Sequence, residues 1–140
     1  MTGNVSRCSE VEIKKYKSRL SDPFLDRIDM YIVMQQVNPS DTSTISSNDM
    51  HKKVLQVHKR LKQRDQECFN AKLSDEEIEK YCKLSIRAKE TLDIATERFS
   101  LSFRAIKKIQ KVSLTIADLN SSDTIEKDHI LEALSYRRRD

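Results

Sequence analysis

The sequence predicts a mainly α-helical protein in which four or five helices follow a helix, a short turn and one strand. Three observations carry that class. The 140 residues include one glycine and two prolines, too few for a β sandwich, which needs a turn signal about every ten residues. Apolar residues recur at helical spacing along most of the chain. Only residues 28–34 alternate with the two-residue period of a strand. The composition, 37% hydrophobic and 34% charged, suits a helical chain with a modest core rather than a disordered one.

Taken in order, Ser9 and Glu12 stand at capping-box spacing and open a helix over about 10–20. Asp22 as N-cap and Pro23 at the first helical position restart the chain in a short turn that runs to Arg27. Next, Ile28, Met30, Ile32 and Met34 alternate with Asp29, Tyr31, Val33 and Gln35. A lone strand leaves main-chain groups unpaired, so this one is expected to pair with strands outside the chain or with a second copy, and otherwise to pack loosely. Short polar residues and a proline at 38–48 have the composition of a linker.

Beyond the linker, Met50, Val54, Val57 and Leu61 mark a helix over about 48–66. Ser74 with Glu77 repeats the capping-box pattern ahead of Ile78 and Tyr81, and Ile86, Leu92, Ala95 and Phe99 mark a helix over about 86–98. Ser102 caps the helix of "LSFRAIKKIQKVSLTIADL", and "DHILEALSYR" forms the last one. The chain therefore divides into residues 1–37, a linker at 38–47 and a helical region at 48–140.

Several chemistries are excluded by residue type and spacing. A phosphate-binding GxxxxGK[ST] loop needs glycines, and the only glycine is Gly3. His51, His58 and His129 have no metal-ligand spacing and read as surface or partly buried helix residues. Cys8, Cys68 and Cys82 form no CxxC pair, so reduced thiols and no metal site are expected. Most carboxylates read as solvated partners of lysines three or four residues away. No apolar run approaches the roughly 20 residues of a membrane span, so no membrane partner and a cytoplasmic location are expected. The net charge of +4 is spread along the chain apart from the tail YRRRD, which reads as a frayed, solvated end.

Two arginines stand apart. In the helix from Ser102, Ile106, Ile109, Val112, Ser113 and Ile116 form one stripe, while Arg104, Lys107, Lys108 and Lys111 lie opposite. A cation in the first turn opposes the helix dipole by about 0.3–1 kcal/mol unless an anion is nearby. The ordinary explanation is a solvated basic face; the functional one is that Arg104 meets a phosphate beside free amide donors. Arg27, in SDPFLDRID, either pairs with Asp26 or Asp29 on the surface or reaches a neighbour's phosphates.

Longer motifs point to a family. "CSEVEIKKYKSRLSDPFLDRID" resembles CSPxxIxxYxxxLSGPLLDRID of the magnesium-chelatase-like AAA+ ATPases of bacteria, the ComM/YifB group. "NAKLSDEEIEKYCKLS", "LSFRAIKKIQKVSLTIADL" and "IEKDHILEALSYR" are similar, in the same order, to that group's NAxLxxxExxxxCxL, LSxRxxxxILxVARTIADL and IxxxHxxEALxYR segments. The resemblance covers about residues 7–137. It implies the C-terminal part of an ATPase: the last helix and strand of an α/β core, then the α-helical lid. The upstream part would carry the phosphate loop, the magnesium-binding acidic motif and most of the sheet. ATP and magnesium would belong to that whole, with no cofactor expected for this chain alone and no catalytic competence without the core.

By the same resemblance, Arg27 matches the arginine finger that completes a neighbouring subunit's ATP site, and Arg104 matches the sensor-2 arginine that contacts ATP phosphate from the lid. The implied partners are the upstream core, neighbouring subunits of a hexameric ring, and DNA handled during natural transformation. The magnesium-chelatase relatives instead insert metal into porphyrin. Ser21-Asp22-Pro23 departs from the group's SGP, the segment around Ser113 and Leu114 lacks the arginine of VARTI, and only Cys8 remains of a cysteine-rich loop. Two other readings stay open: a freestanding histone-like module that binds DNA through a basic face, and a helical adaptor with no nucleotide role.

Overall fold

Serine hydroxyls start six of the seven α-helices found among residues 8–137, which are those that the computed structural model describes. The helices are α1 (Glu10–Lys17), α2 (Asp22–Leu25), α3 (Ser47–Gln63), α4 (Asp75–Tyr81), α5 (Ile86–Phe99), α6 (Phe103–Leu119) and α7 (Lys127–Ser135), with a 3-10 turn at Asn70–Lys72. Each serine accepts a hydrogen bond from an amide of the first turn, which otherwise lacks a partner. The α1 and α4 caps are full capping boxes, with Glu12 and Glu77 reaching back to the amides of Ser9 and Ser74. The α2 cap is Ser21 rather than the expected Asp22, which is the first helical residue; Ser21 Oγ accepts from the Phe24 amide at 3.4 Å. At α7 the Glu126 amide donates to Nδ1 of His129 at 3.0 Å.

Helix ends lack glycine, and the chain uses other residues in the left-handed region. Asp65, Ser100 and Ser121 have φ of 52°, 47° and 56° and follow α3, α5 and α6. In each case the next amide, of Gln66, Leu101 or Ser122, donates back to a carbonyl five residues earlier at 2.9–3.0 Å. This is the paired C-terminal motif that usually takes glycine.

The α6 helix is the hub, packing against α7, α3, α4 and the 3-10 turn, while α5 packs on α7. Ile109, Leu114, Ile116 and Ala117 of its apolar stripe are buried with Leu73, Ile78, Leu92, Ile125 and Ile130. Each large aliphatic side chain so buried contributes about 1.5–3 kcal/mol. A single parallel bridge, Leu84 to Ile125, ties the loop before α5 to the loop before α7. Its hydrogen bonds run from the Ile125 amide to Lys83 O at 2.7 Å and from the Ser85 amide to Ile125 O at 3.0 Å.

One buried charge organises this packing. Asp118, at the C-terminal end of α6, is 0% exposed. Arg64 grips it with both terminal nitrogens, at 2.7 and 2.9 Å, and Asn70 Nδ2 donates to it at 2.9 Å. Arg60 Nε lies 3.6 Å away, and its other end binds Asp123 and the Ser122 carbonyl. Asp118 thus ties α3 and the 3-10 turn to α6, against the expectation that carboxylates would be solvated helix-face partners.

The predicted strand is corrected. No β-strand forms among the described residues, and residues 28–34 have no ladder partner. Only the near end of the segment is anchored: the Tyr31 amide donates to Tyr136 O at 2.8 Å, and the Tyr31 hydroxyl donates to Leu25 O. Val33 and Met34 are 88% and 85% exposed. The alternation is present, but a ladder needs a second strand, and the chain supplies none among the described residues. The tail beyond Arg137 and residues 1–7 lie outside the described residues.

Two stability measurements follow. Ser121→Gly removes the left-handed strain and raises stability by about 1 kcal/mol, seen as a higher urea midpoint; a lower midpoint would contradict the strain. Asp118→Ala leaves the Arg64 guanidinium without its carboxylate and lowers stability by about 3–5 kcal/mol. An unchanged midpoint there would remove Asp118 from the organising role.

Candidate functional site

The first turns of α6 receive the α2 turn. Ser102 Oγ accepts from the Ala105 amide at 3.2 Å and fixes where the helix starts. Two residues on, Arg104 places a terminal guanidinium nitrogen 3.4 Å from Asp26 Oδ2, with the two side chains 57% and 51% exposed. Such a pair is worth about 0–1 kcal/mol. The carboxylate of Asp26 is therefore the anion that offsets a cation at the positive end of the helix.

One turn later, Lys108 reaches the same place. Its ammonium donates to the main-chain oxygen of Asp26 and, at 3.1 Å, to that of Ile28, and lies 4.0 Å from Asp26 Oδ1. The expected solvated basic face is otherwise engaged as well. Lys107 pairs with Asp75 and lies 4.1 Å from the centre of the Phe103 ring, and Lys111 donates to Ala71 O at 3.2 Å.

Arg27 follows Asp26 directly. Its amide donates to Phe24 O at 3.0 Å and the Ile28 amide donates to Leu25 O at 3.1 Å, so the α2 turn is closed by its own main chain. Arg27 is exposed and has no ion pair among the described residues. The pairing with Asp26 weighed from the sequence is absent because Arg104 and Lys108 take that carboxylate. Asp26 thus draws Arg104 and Lys108 into one surface patch, and Arg27 is the next residue of the chain.

Sequence reasoning missed Asp26 and Lys108 as members of this patch. The signal available for Lys108 was its position four residues after Arg104, on the same helix face. The target of its ammonium, a pair of main-chain oxygens, leaves no mark in the sequence.

The remaining polar features are structural. A cleft of about 440 Å³ lies at the C-terminal ends of α3 and α4, with Arg60, Arg64, Lys80 and Lys83 in its lining. The two arginines are committed to Asp118, and cations at helix C-termini are favoured by the dipole. His58 stands edge-on to Phe69 with ring centres 5.5 Å apart. Among the described residues no group of three His, Cys, Asp or Glu side chains is placed to hold a metal ion.

Burial pushes the Cys82 thiol up to about 12. It is neutral at physiological pH and is no nucleophile. The shift also makes the fold progressively less stable as pH rises from the thiol's ordinary 9.0 to about 12. Iodoacetamide at pH 8 is expected to leave Cys82 unlabelled in the native chain and to label it in urea; labelling at equal rates in both would contradict its burial.

Comparison with known sequences sets this geometry in context. Residues 44–137 match the family model for magnesium chelatase, subunit ChlI C-terminal, and residues 2–42 match that for magnesium chelatase, subunit ChlI. Competence protein ComM of Haemophilus influenzae is 39% identical over 142 residues, which covers 97% of this chain and 28% of ComM. The YifB proteins of Salmonella typhimurium and Escherichia coli are 37% and 36% identical, each over 99% of this chain and 28% of the relative. The chain thus spans less than a third of the length of these relatives.

Proposed function

The chain belongs to the magnesium-chelatase-like family that includes ComM and YifB, and we propose that it acts as the C-terminal lid portion of a ring ATPase. In this reading a core upstream of the lid supplies the phosphate loop and the magnesium ligands. The lid contributes two guanidiniums. Arg104 is the sensor-2 residue that holds an ATP phosphate of its own subunit. Arg27 is the finger that neutralises charge growing on the γ-phosphate in the neighbouring subunit. The motor acts on DNA; the competence role in ComM's name supports that substrate here by kinship.

The observation that carries the reading is Arg104 in the first turn of α6, paired there with an exposed carboxylate, with Arg27 exposed and without an ion pair among the described residues. Arg104 sits in the first turn of α6, where amide dipoles favour an anion, and its one ion pair among the described residues is with a surface carboxylate that a phosphate can replace. Arg27 projects from a turn closed on both sides, with its own charge uncommitted among the described residues. A guanidinium in each position suits bidentate contact with phosphate oxygens.

The test is a chimera in which residues 1–140 replace the corresponding C-terminal segment of Haemophilus influenzae ComM. The chain alone is expected to hydrolyse no ATP and the chimera to hydrolyse it. Arg27→Ala or Arg104→Ala in the chimera then lowers kcat by about a thousandfold with an unchanged melting temperature. Normal turnover in both variants would end the proposal.

A further inference from the structure

We infer that Lys108 is a positioning residue for Arg27: by holding the carbonyls on either side of it, the ammonium fixes where the guanidinium is presented. The inference rests on the reading of Arg27 as a finger and adds a residue to it.

The geometry is specific. Lys108 donates to the main-chain oxygens of Asp26 and Ile28, the residues immediately before and after Arg27. The amides of Arg27 and Ile28 are in turn held by Phe24 O and Leu25 O. The turn is thus fixed from two sides: its donors by α2 and its acceptors by α6. A lysine ammonium has three donors, and here two of them go to these oxygens while the Asp26 carboxylate lies at 4.0 Å. The Lys108 side chain is only 19% exposed, unlike a solvated surface lysine.

The rigidity matters because of the chemistry asked of Arg27. A finger stabilises charge that appears only in the transition state, so its effect depends on placement, and a misplacement of about 1 Å costs about a hundredfold in rate. The α2 helix has four residues and no buried side chain, so packing does little to aim it. Beside the Tyr31 hydroxyl on Leu25 O and the exposed Arg104–Asp26 pair, Lys108 is the contact that holds the two carbonyls flanking Arg27, and it does so from α6, whose own position is set by the core. The same helix carries Arg104, so one rigid element sets the positions of both arginines.

Hydrogen exchange and kinetics separate the possibilities. In the 140-residue chain, Lys108→Met is expected to speed exchange at the Arg27 and Ile28 amides at least tenfold, with the buried amides of α6 unchanged. In the chimera the same substitution lowers kcat at least tenfold, leaves KM for ATP within twofold, and adds no further loss in an Arg27→Ala background. Lys108→Arg, which keeps donors for both carbonyls, restores exchange protection and kcat to within threefold of the parent. Unchanged exchange together with unchanged kcat in Lys108→Met would overturn the inference. So would a further loss of activity in the Arg27→Ala background, since Lys108 would then act independently of the finger. If Arg27→Ala alone leaves turnover normal, the finger reading fails, and the exchange measurement still decides whether Lys108 holds the turn.

Discussion

The buried carboxylate of Asp118 is the constraint on which the rest of the structure depends. A carboxylate at a helix C-terminus faces the negative end of the dipole, and one with no exposure to water pays a further desolvation cost of several kcal/mol. Both penalties are met by one arrangement: the bidentate grip of Arg64, the amide of Asn70 and the nearby Arg60 guanidinium. That arrangement exists only when α3 and the 3-10 turn lie against α6, so the charge specifies the packing as well as tolerating it. With the C-terminal end of α6 fixed in this way and its middle buried in the apolar core, the orientation of its N-terminal turns is set. The Asp118 cluster and the Arg104 patch are two ends of one rigid rod.

The patch in turn shows how a fold built for one purpose can hold a weakly structured segment. The α1 helix, the α2 turn and the residues up to 37 bury little against the lid. Their attachment is polar and local: Lys108 and Arg104 on the Asp26 turn, and the Tyr31 amide on the end of α7. Such contacts are individually small and salt-sensitive. Beside them, Ile28 and Tyr31 line a small cavity with Ala105, Ile109, Val112 and Ala133, where the segment meets α6 and α7 through apolar side chains.

Much of this was legible in the sequence, and the reasons are local. The Ser9, Ser74 and Ser102 caps could be read because a cap and its partners lie within one turn of each other. The apolar stripe of α6 could be read because helical periodicity repeats within the segment, and the burial of Ile109, Ser113 and Ile116 follows it. Asp118 could not be read as buried, since its partner Arg64 is 54 residues away in sequence and nothing in the local pattern reports a contact at that distance. The ends of α5 and α6 were read to within a residue and that of α3 to within three, but the way they close was hidden: Asp65, Ser100 and Ser121 take the conformation that a glycine would have announced. At 28–34 the alternation was real but forms no strand within the described residues, because a strand is defined by its neighbour, which was expected to lie outside the chain, and a periodicity describes only the segment itself.

The pairing of Arg104 with Asp26 turns the arrival of any anion at that arginine into an exchange. A phosphate arriving there would have to displace a carboxylate that the chain already supplies, so the free energy gained would be the difference between two ion pairs and not the full value of one. Because the leaving anion is tethered to the protein and not drawn from solution, this step at Arg104 releases less bound salt than the neutralisation of a bare cation would. Selectivity at such a site would have to come from charge number and geometry, in which a doubly charged phosphate with three oxygens differs from a single carboxylate. A displaced Asp26 would stay one peptide bond from Arg27, so an exchange at one arginine would alter the electrostatic field around the other.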